Sequence, residues 1–287
     1  MFKRERSAGS WLAKLNRDAA QMLHSKLDSP SNSEDIWLAL CNEAKLWLAA
    51  EPTLEKLFQK NILQQKSFQS AIVTLISTEL STDHDDYIAI QKAADDAWNS
   101  DQLLEKAATA DLCATIERDP ACHSYLKPFL FYKGFQAIQA YRLANWLWKM
   151  ERTVLAEFIQ GRVSKVFQVD IHPAATIGHG IMVDHATGVV IGETAVLGND
   201  VSLLHGVTLG GTGKEPGNRH PKIGSGTMIG AGASILGNIT VGESCRIGAG
   251  SVVLKDVPDN TSVAGIPAKD LGGAGSELPA ITMEQKF

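Results

Sequence analysis

The sequence is poor in the features that mark secreted, membrane-spanning or nucleic-acid-binding proteins. Its 287 residues contain four cysteines, which are scattered and form no CxxC pair. That pattern fits reduced thiols in a cytosolic protein better than a disulfide framework or a zinc site. No apolar run approaches the roughly 20 residues that span a bilayer, and no long basic run accompanies the formal net charge of −5. We therefore expect neither a membrane nor a nucleic acid as a partner.

The N-terminal stretch MFKRERSAGSWLAKLNRDAA is basic but lacks the apolar core of a secretory signal. We therefore expect a cytoplasmic protein, with an organelle-targeting role for this stretch as the alternative. The hydrophobic fraction of 44% and the charged fraction of 21% are those of a globular protein with a sizeable core.

Residues 1–168 have the periodicity of α-helices. In STDHDDYIAIQKAADDAW a Ser/Thr/Asp start precedes an amphipathic run, and GFQAIQAYRLANWLWKMERTVLAEFIQGRVSKVF contains two more helical patterns. Amphipathic helices of this kind must pack their apolar faces on each other or on a second copy. The first part of the chain is therefore predicted to be a helical bundle.

Residues 169–271 follow another pattern, with an aliphatic residue at every sixth position. Three runs share this spacing: Ile171, Ile177 and Val183; Ile191, Leu197, Leu203 and Leu209; Ile223, Ile229, Ile235, Val241, Ile247 and Val253. Glycine follows many of these residues, and glycine permits tight corners. A period of six predicts a solenoid of short strands, in which each aliphatic side chain stacks on its equivalent in the previous coil.

The six-residue spacing is interrupted twice. Eight residues separate Val183 from Ile191, and the glycine position there holds Asp184, followed by His185. The second interruption contains GTGKEPGNRHP at 211–221, which has too much glycine, proline and charge to continue a strand. We expect it to form a loop outside the solenoid, where binding groups tend to lie. From the residues alone, Asp184 and His185 could also be polar surface residues at a turn.

The segments VDIHPAATIG, DHATGVVIGETA, HGVTLGGTGK, NRHPKIG and VAGIPA together resemble the serine O-acetyltransferase family of hexapeptide-repeat acyltransferases. The resemblance implies an α+β chain with a helical oligomerisation domain (1–168) and a left-handed parallel β-helix that carries the active site (169–271). It also implies trimers with active sites between neighbouring β-helices, paired into a hexamer. The reaction would transfer acetyl from acetyl-CoA to the hydroxyl of L-serine in cysteine biosynthesis, with feedback inhibition by L-cysteine.

Such a reaction needs a base, because a serine hydroxyl is a poor nucleophile at neutral pH. The resemblance assigns this role to His185, since an imidazole has a pKa of about 6.5 near working pH. Asp170 would be the carboxylate that orients His185. His220, in the loop, would belong to the same catalytic set.

The zwitterionic substrate needs an acid for its ammonium group and a cation for its carboxylate. The family positions that supply the acids correspond to Asp119, in the helical half, and to Asp184. Arg219 and His220 would hold the carboxylate, and the planar guanidinium suits bidentate binding. Glu193, which follows the repeat glycine, is expected to tune the site.

Acetyl-CoA needs a groove of backbone amides and small residues. The positions that the resemblance assigns to this groove are Gly210, Gly211, Thr212, Ala231, Ala249 and Arg246, the last of them toward a phosphate. Corner packing is the alternative explanation for Ala231 and Ala249.

Other interpretations of the same residues remain open. Histidines from three subunits, such as His179 and His205, could bind zinc as in a β-helical carbonic anhydrase, although we expect no metal. Another hydroxyl acceptor, such as homoserine or a sugar, would need a similar base. A scaffold with an impaired site is the interpretation from a different class.

The end of the chain, 272–287, is polar and glycine-rich and is expected to form a flexible tail. Family members commonly end in an isoleucine that inserts into O-acetylserine sulfhydrylase, the next enzyme. This chain ends in Phe287, which puts that complex in doubt.

Overall fold

A helical region precedes a parallel β-solenoid in the computed structural model, which describes residues 32–213, 216–273 and 278–283. The helices of this region are α1 (Ser33–Ala50), α2 (Glu55–Phe58), α3 (Phe68–Leu80), α4 (His84–Ser100), α5 (Gln102–Arg118), α6 (Leu126–Phe131), α7 (Lys133–Lys149) and α8 (Thr153–Phe167). A 3-10 turn at Pro52–Leu54 and a π-helical turn at Gln59–Leu63 flank α2.

Side-chain caps define where the long helices begin. The side-chain oxygens of Asn32, Ser67 and Asp83 accept backbone N–H groups in the first turns of α1, α3 and α4, which satisfies donors that have no partner within the helix. At the other end of the region, Gln168 adopts a left-handed conformation after α8, and the first strand begins at Val169.

The solenoid has three faces, each a sheet of parallel strands one coil apart. The first face contains β1 (Val169–Ile171), β4 (Val189–Ile191), β7 (Thr208–Gly210), β10 (Ser234–Leu236) and β13 (Val252–Val253). The second contains β2 (Thr176–Ile177), β5 (Val196–Leu197), β8 (Lys222–Ile223) and β11 (Thr240–Val241). The third contains β3 (Met182–Val183), β6 (Ser202–Leu203), β9 (Met228–Ile229), β12 (Arg246–Ile247), β14 (Thr261–Gly265) and the antiparallel β15 (Ala268–Gly273).

The predicted stacking of the aliphatic residues is present in the strand registers. On the first face Ile171 pairs with Ile191, Ile191 with Leu209, and Leu209 with Ile235. All of these side chains are buried, and one continuous cluster of buried residues joins the solenoid interior to the helical region. The period of six therefore corresponds to one strand and one corner of a three-sided coil.

The C-terminal boundaries differ from those expected from the sequence. Strand β15 continues to Gly273, beyond the expected domain end at 271. Residues 278–283, expected to be flexible, include the short helix α9 (Pro279–Thr282), in which Ala280 is buried against Leu204 and Met228. The reason is that Ala280 meets both apolar and polar partners there: it packs on Leu204 and Met228, its carbonyl accepts the Ser202 hydroxyl at 2.7 Å, and its N–H donates to the Gly226 carbonyl at 3.2 Å. Residues 1–31 and Phe287 lie outside the described residues.

Candidate active site

His185 lies at the corner between β3 and β4, where the six-residue spacing has two extra residues. His185 and Ala186 both adopt left-handed backbone conformations, with φ of 57° and 60°, which are unfavourable for residues other than glycine. The Ala186 N–H donates to the Asp184 carbonyl at 2.6 Å, and the Thr187 N–H to the His185 carbonyl at 2.7 Å. Strained corners of this kind occur preferentially at functional sites.

The two extra residues turn the imidazole away from the solenoid. The His185 side chain is 72% exposed, while the Asp184 side chain beside it is 25% exposed. His185 Nε2 lies 3.4 Å from Asp184 Oδ2. The corner thus presents a base and a carboxylate together at the surface.

The equivalent corners of the following coils stack under His185. The Gly206 N–H donates to the Thr187 carbonyl at 2.8 Å, and the Gly232 N–H to the His205 carbonyl at 2.9 Å. The ring centroids of His185 and His205 are 5.8 Å apart. We call the corner residues of this series, which are His185, His205, Ala231 and Ala249, the histidine edge.

A second set of polar residues lies where the first face meets the second face. Glu193, Thr194, Arg219 and His220 form this set, which we call the arginine edge. Arg219 Nη2 donates to Glu193 Oε2 at 2.6 Å, and its Nη1 donates to the Gly217 carbonyl at 3.3 Å. The ion pair holds the end of the 211–221 loop against the corner that follows β4.

Thr194 connects this corner to both loop residues. Its Oγ1 accepts the N–H groups of Arg219 and His220, at 3.0 Å and 3.1 Å. Its own N–H donates to His220 Nδ1 at 3.2 Å, and its Oγ1 is 2.9 Å from the same nitrogen. Because Nδ1 accepts, the neutral ring carries its proton on Nε2.

The electrostatics of the arginine edge favour a neutral imidazole beside a charged guanidinium. Burial, together with the positive charge of Arg219, lowers the pKa of His220 below its ordinary value. The hydrogen bond from Arg219 lowers the pKa of Glu193. At neutral pH the edge therefore offers an arginine cation and an Nε2–H donor, two groups that suit a carboxylate.

Asp170 and Asp119 have other partners within this chain. Asp170, on β1, accepts a hydrogen bond from Gln160 Nε2 of α8 at 2.7 Å; among the described residues, the carboxylate that faces His185 is Asp184. Asp119, which follows α5, accepts from the Tyr132 hydroxyl at 2.9 Å and from the Ala121 N–H at 2.8 Å. The structure does not bring either carboxylate into an ion pair with His185 within one chain.

The residues predicted to contact the cofactor are distributed over both edges. Ala231 and Ala249 belong to the histidine edge, and Gly210 ends β7 beside the arginine edge, followed by Gly211 and Thr212. Arg246 lies on β12, next to Met228 and Ser262 of the neighbouring strands. Ala280 of helix α9 packs on Met228, the strand neighbour of Arg246.

The two edges are separated by the width of the first face. Strand β4 spans that face with three residues, which corresponds to about 10 Å at the usual rise of a strand. A serine molecule is too short to reach both edges of one chain. The residues that the resemblance assigns to one substrate site therefore lie in two separate groups on a single chain, and we call these groups half-sites.

Two residues of these half-sites are not predicted from the sequence to belong to the site. Thr194 has no role in the resemblance, and His205 enters only as a possible zinc ligand. The register between neighbouring coils identifies both residues, because Val196 pairs with Lys222 and Val183 with Leu203. Counting along these registers places Thr194 beside His220, and His185 beside His205. Within the described residues, no group of three or more His, Cys, Asp or Glu side chains could hold a metal ion.

Comparison with known proteins identifies the family. Residues 36–140 match the family model described as "Serine acetyltransferase, N-terminal", and residues 220–255 match "Bacterial transferase hexapeptide (six repeats)". The serine acetyltransferase of Escherichia coli K12 is 49% identical over 254 residues, 88% of this chain and 93% of that protein. The crystal structure of the Vibrio cholerae serine acetyltransferase superposes with a TM-score of 0.87 at 48% identity, covering 89% of this chain and 99% of that one.

Solved structures of similar proteins also contain ligands. A serine acetyltransferase in complex with cysteine superposes with a TM-score of 0.87 at 46% identity, covering 89% of this chain and 99% of that one. The Neisseria gonorrhoeae enzyme in complex with serine (TM-score 0.80, 50% identity) covers 82% and 96% of the two chains, and the Brucella abortus enzyme in complex with coenzyme A (0.81, 46%) covers 84% and 96%.

The helical region followed by a solenoid of six-residue repeats defines a hexapeptide-repeat transferase. Within that class, this chain belongs to the serine acetyltransferase family, whose members catalyse acetylation of serine in cysteine biosynthesis. None of the described helices has both the length and the apolar character that a membrane span requires.

Proposed function

We propose that this chain transfers acetyl from acetyl-CoA to the hydroxyl of L-serine, with His185 as the general base. The observation that carries the proposal is the exposed, conformationally strained Asp184–His185 corner, with Nε2 and Oδ2 3.4 Å apart. His185 would take the hydroxyl proton as the serine oxygen bonds to the thioester carbon. Collapse of the tetrahedral intermediate breaks the carbon–sulfur bond, and the imidazolium returns the proton to the sulfur of coenzyme A.

We propose that the arginine edge binds the serine carboxylate through Arg219 and through the Nε2–H of His220. Asp184 and Asp119 would bind the ammonium group. Asp170 remains the proposed orienting carboxylate of His185, and in that role its hydrogen bond from Gln160 would fix its position. L-cysteine has the same ammonium and carboxylate groups as serine, so it should compete for the same residues. The serine and cysteine complexes of relatives support this assignment.

We propose a trimer, because the two half-sites lie on different edges of one chain. A neighbouring copy that sets its arginine edge against the histidine edge would complete the site. Large apolar side chains of the helical region are exposed, among them Leu38, Leu103 and Val154, and their burial between copies would support pairing of two trimers into a hexamer. A complex with O-acetylserine sulfhydrylase is not part of this proposal.

We propose that acetyl-CoA lies along the histidine edge, so that its thioester reaches His185 and its nucleotide extends past Ala231 and Ala249. The small side chains below His205 leave room for a cofactor chain between neighbouring solenoids. The coenzyme A complex of a relative supports acetyl-CoA as the co-substrate.

The test is thiol release from acetyl-CoA, measured for the wild type and for His185→Ala with serine, homoserine and a sugar alcohol as acceptors. We expect release that depends on serine and falls by at least a hundredfold in the variant, the scale on which a general base contributes. Full activity in His185→Ala would exclude it as the base. Equal rates with all acceptors would exclude selective recognition of an amino acid.

A further inference from the structure

The strand that leads into Asp184 and His185 lies at the edge of its sheet. Strand β3 has a strand neighbour, β6, on one side only. The backbone groups on the outer side of an edge strand and of its approach have no ladder partner. The helical region supplies partners for this side, at several points between Gly178 and Thr187.

Asp111, on α5, provides the central contact. It is fully buried, and its Oδ1 accepts the Ile181 N–H at 2.9 Å, immediately before β3. Its Oδ2 accepts from Arg142 Nε and Nη2, at 2.9 Å and 2.7 Å, and from Gln139 Nε2 at 3.0 Å. A buried carboxylate is unfavourable unless it is fully paired. Here the pairing connects two helices to the backbone that enters β3.

Two arginines extend the same contact to neighbouring carbonyls. Arg142 Nη2 donates to the Gly178 carbonyl at 2.8 Å. Arg118 Nη1 donates to the Gly180 carbonyl at 2.9 Å. The turn before β3 is therefore held at successive backbone positions by side chains from α5 and α7.

Helix α7 also approaches the end of β3 directly. A Cβ atom added at Gly134 would lie 1.9 Å from the Val183 carbonyl oxygen, so only glycine permits this packing. On the far side of the corner, Lys133 Nζ donates to Thr187 Oγ1. The helical region thus contacts the chain both before Asp184, up to Val183, and after His185, at Thr187.

We propose that Asp111 is a positioning residue for His185, acting through the Ile181 N–H and the register of β3. The helical region then sets the geometry of catalysis in addition to joining subunits. The inference rests on the proposed role of His185 as the base. Displacement of a reacting group by about 1 Å can lower the rate by about a hundredfold, so loss of this contact should affect turnover more than cofactor binding.

The principal test compares Asp111→Asn with Asn145→Ala. Asparagine at position 111 keeps the shape but cannot accept hydrogen bonds on both sides, because an NH2 group, which only donates, replaces one of the two carboxylate oxygens. Asn145 lies on the same helix as Arg142 and donates to the Pro173 and Ala175 carbonyls, at 2.8 Å and 3.1 Å, ahead of β2. Its removal weakens the same interface without touching the approach to β3.

Both variants are assayed as the assembled protein, well below the melting temperature of each. For Asp111→Asn we expect kcat to fall roughly tenfold or more, with KM for acetyl-CoA unchanged within twofold. Hydrogen exchange should become faster in a peptide that covers residues 178–187. For Asn145→Ala we expect kcat within twofold of the wild type. A kcat of Asp111→Asn equal to that of Asn145→Ala would overturn the proposal.

Gly134→Ala provides a second variant in case Asp111→Asn does not assemble. Alanine favours the helix but pushes Val183 away, so kcat should fall although α7 itself is stabilised. Failure of both variants to fold would overturn the proposal, because the contacts would then serve the fold as a whole. His185→Ala is measured in parallel. If it retained activity, the proposed base would be wrong; if it lost activity while Asp111→Asn did not, the inference about Asp111 alone would be wrong.

Discussion

Glu193 and Arg219 form an ion pair, with Glu193 Oε2 2.6 Å from Arg219 Nη2, across 26 residues of the chain. Glu193 belongs to the corner after β4, whereas Arg219 belongs to the end of the 211–221 loop. The pair therefore fixes a loop residue to the solenoid, and in the proposed function the guanidinium binds the serine carboxylate as a second acid. A guanidinium has five donors in a planar fork and can serve both acids.

Replacing Glu193 by glutamine should weaken serine binding and leave cofactor binding intact. Glutamine retains an acceptor but loses the charge that orients Arg219, and charge-assisted hydrogen bonds are about twice as strong as neutral ones. We expect KM for serine to rise by roughly three- to tenfold, with KM for acetyl-CoA unchanged, in steady-state assays with each substrate varied. Glu157→Gln, at an exposed position on α8, is the control with the same change of charge. An equal effect in the control would contradict the assignment.

Thr194→Val should have a similar effect for a different reason. Valine has nearly the same size but cannot accept the N–H groups of Arg219 and His220, so both residues lose a fixed orientation. A loss of about 1.4 kcal/mol of interaction corresponds to a tenfold change in affinity, and we expect KM for serine to rise by about that factor. Thr194→Ser keeps the hydroxyl and should restore most of the affinity. If the Thr194→Ser variant had as high a KM for serine as the Thr194→Val variant, the methyl group of Thr194 would matter and its hydroxyl would not.

Gly192 permits the buried position of the His220 ring. A Cβ atom at Gly192 would lie 2.1 Å from both Nε2 and Cδ2 of His220, so Gly192→Ala must displace the imidazole. We expect a rise in KM for serine of roughly tenfold or more, together with a lower melting temperature.

The matched control for this substitution is Gly161→Ala, on α8. A Cβ atom at Gly161 would meet nothing within 4 Å, and alanine in a helix is favoured over glycine by about 0.8–1 kcal/mol. The control should therefore raise the melting temperature and leave the kinetics unchanged. A lower melting temperature for Gly192→Ala and a higher one for Gly161→Ala would show that crowding at His220, and not the loss of a glycine, determines the result.

The sequence predicts the solenoid well because each coil repeats the same requirement. Residues such as Ile171, Ile191 and Leu209 lie one coil apart and fill one interior column. The spacing of six leads from an interior position on one face to the interior position on the next face. The two interruptions of the six-residue spacing can also be recognised in the sequence, because extra residues at a corner do not contribute side chains to the interior columns. Their positions mark the corner with His185 and the loop with Arg219.

Other features depend on contacts that the repeat does not encode. The partner of Asp170 is Gln160, on a helix, and helical periodicity does not say which helix faces β1. The packing of Ala280 on Met228 depends on the outer side of a strand, where the repeat imposes little constraint. The separation of His185 and Arg219 onto two edges of one chain follows from the three-dimensional positions of the corners. The spacing of six does not indicate it, and only the family resemblance, which implies active sites between neighbouring β-helices, points to it.

The stability of the protein should depend on pH through His220. Burial and Arg219 hold the folded-state pKa of His220 below its ordinary value of 6.5, so the unfolded chain binds a proton at a higher pH than the folded chain. Stability therefore rises with pH over this window. It falls as the pH is lowered through 6.5 toward the folded-state pKa. Glu193 does not contribute to this window, because its pKa is lowered from 4.5.

The measurement is the melting temperature of the wild type and of His220→Gln between about pH 7.5 and pH 5.5, around the ordinary histidine pKa. Glutamine can donate a hydrogen bond but does not titrate in this range. We expect the melting temperature of the wild type to decrease more steeply with falling pH than that of the variant, because only the wild type must bury an imidazole that resists protonation. Parallel curves would mean that His220 titrates normally in the folded protein, and the neutral Nε2–H donor proposed for the substrate carboxylate would then have to be replaced by an imidazolium.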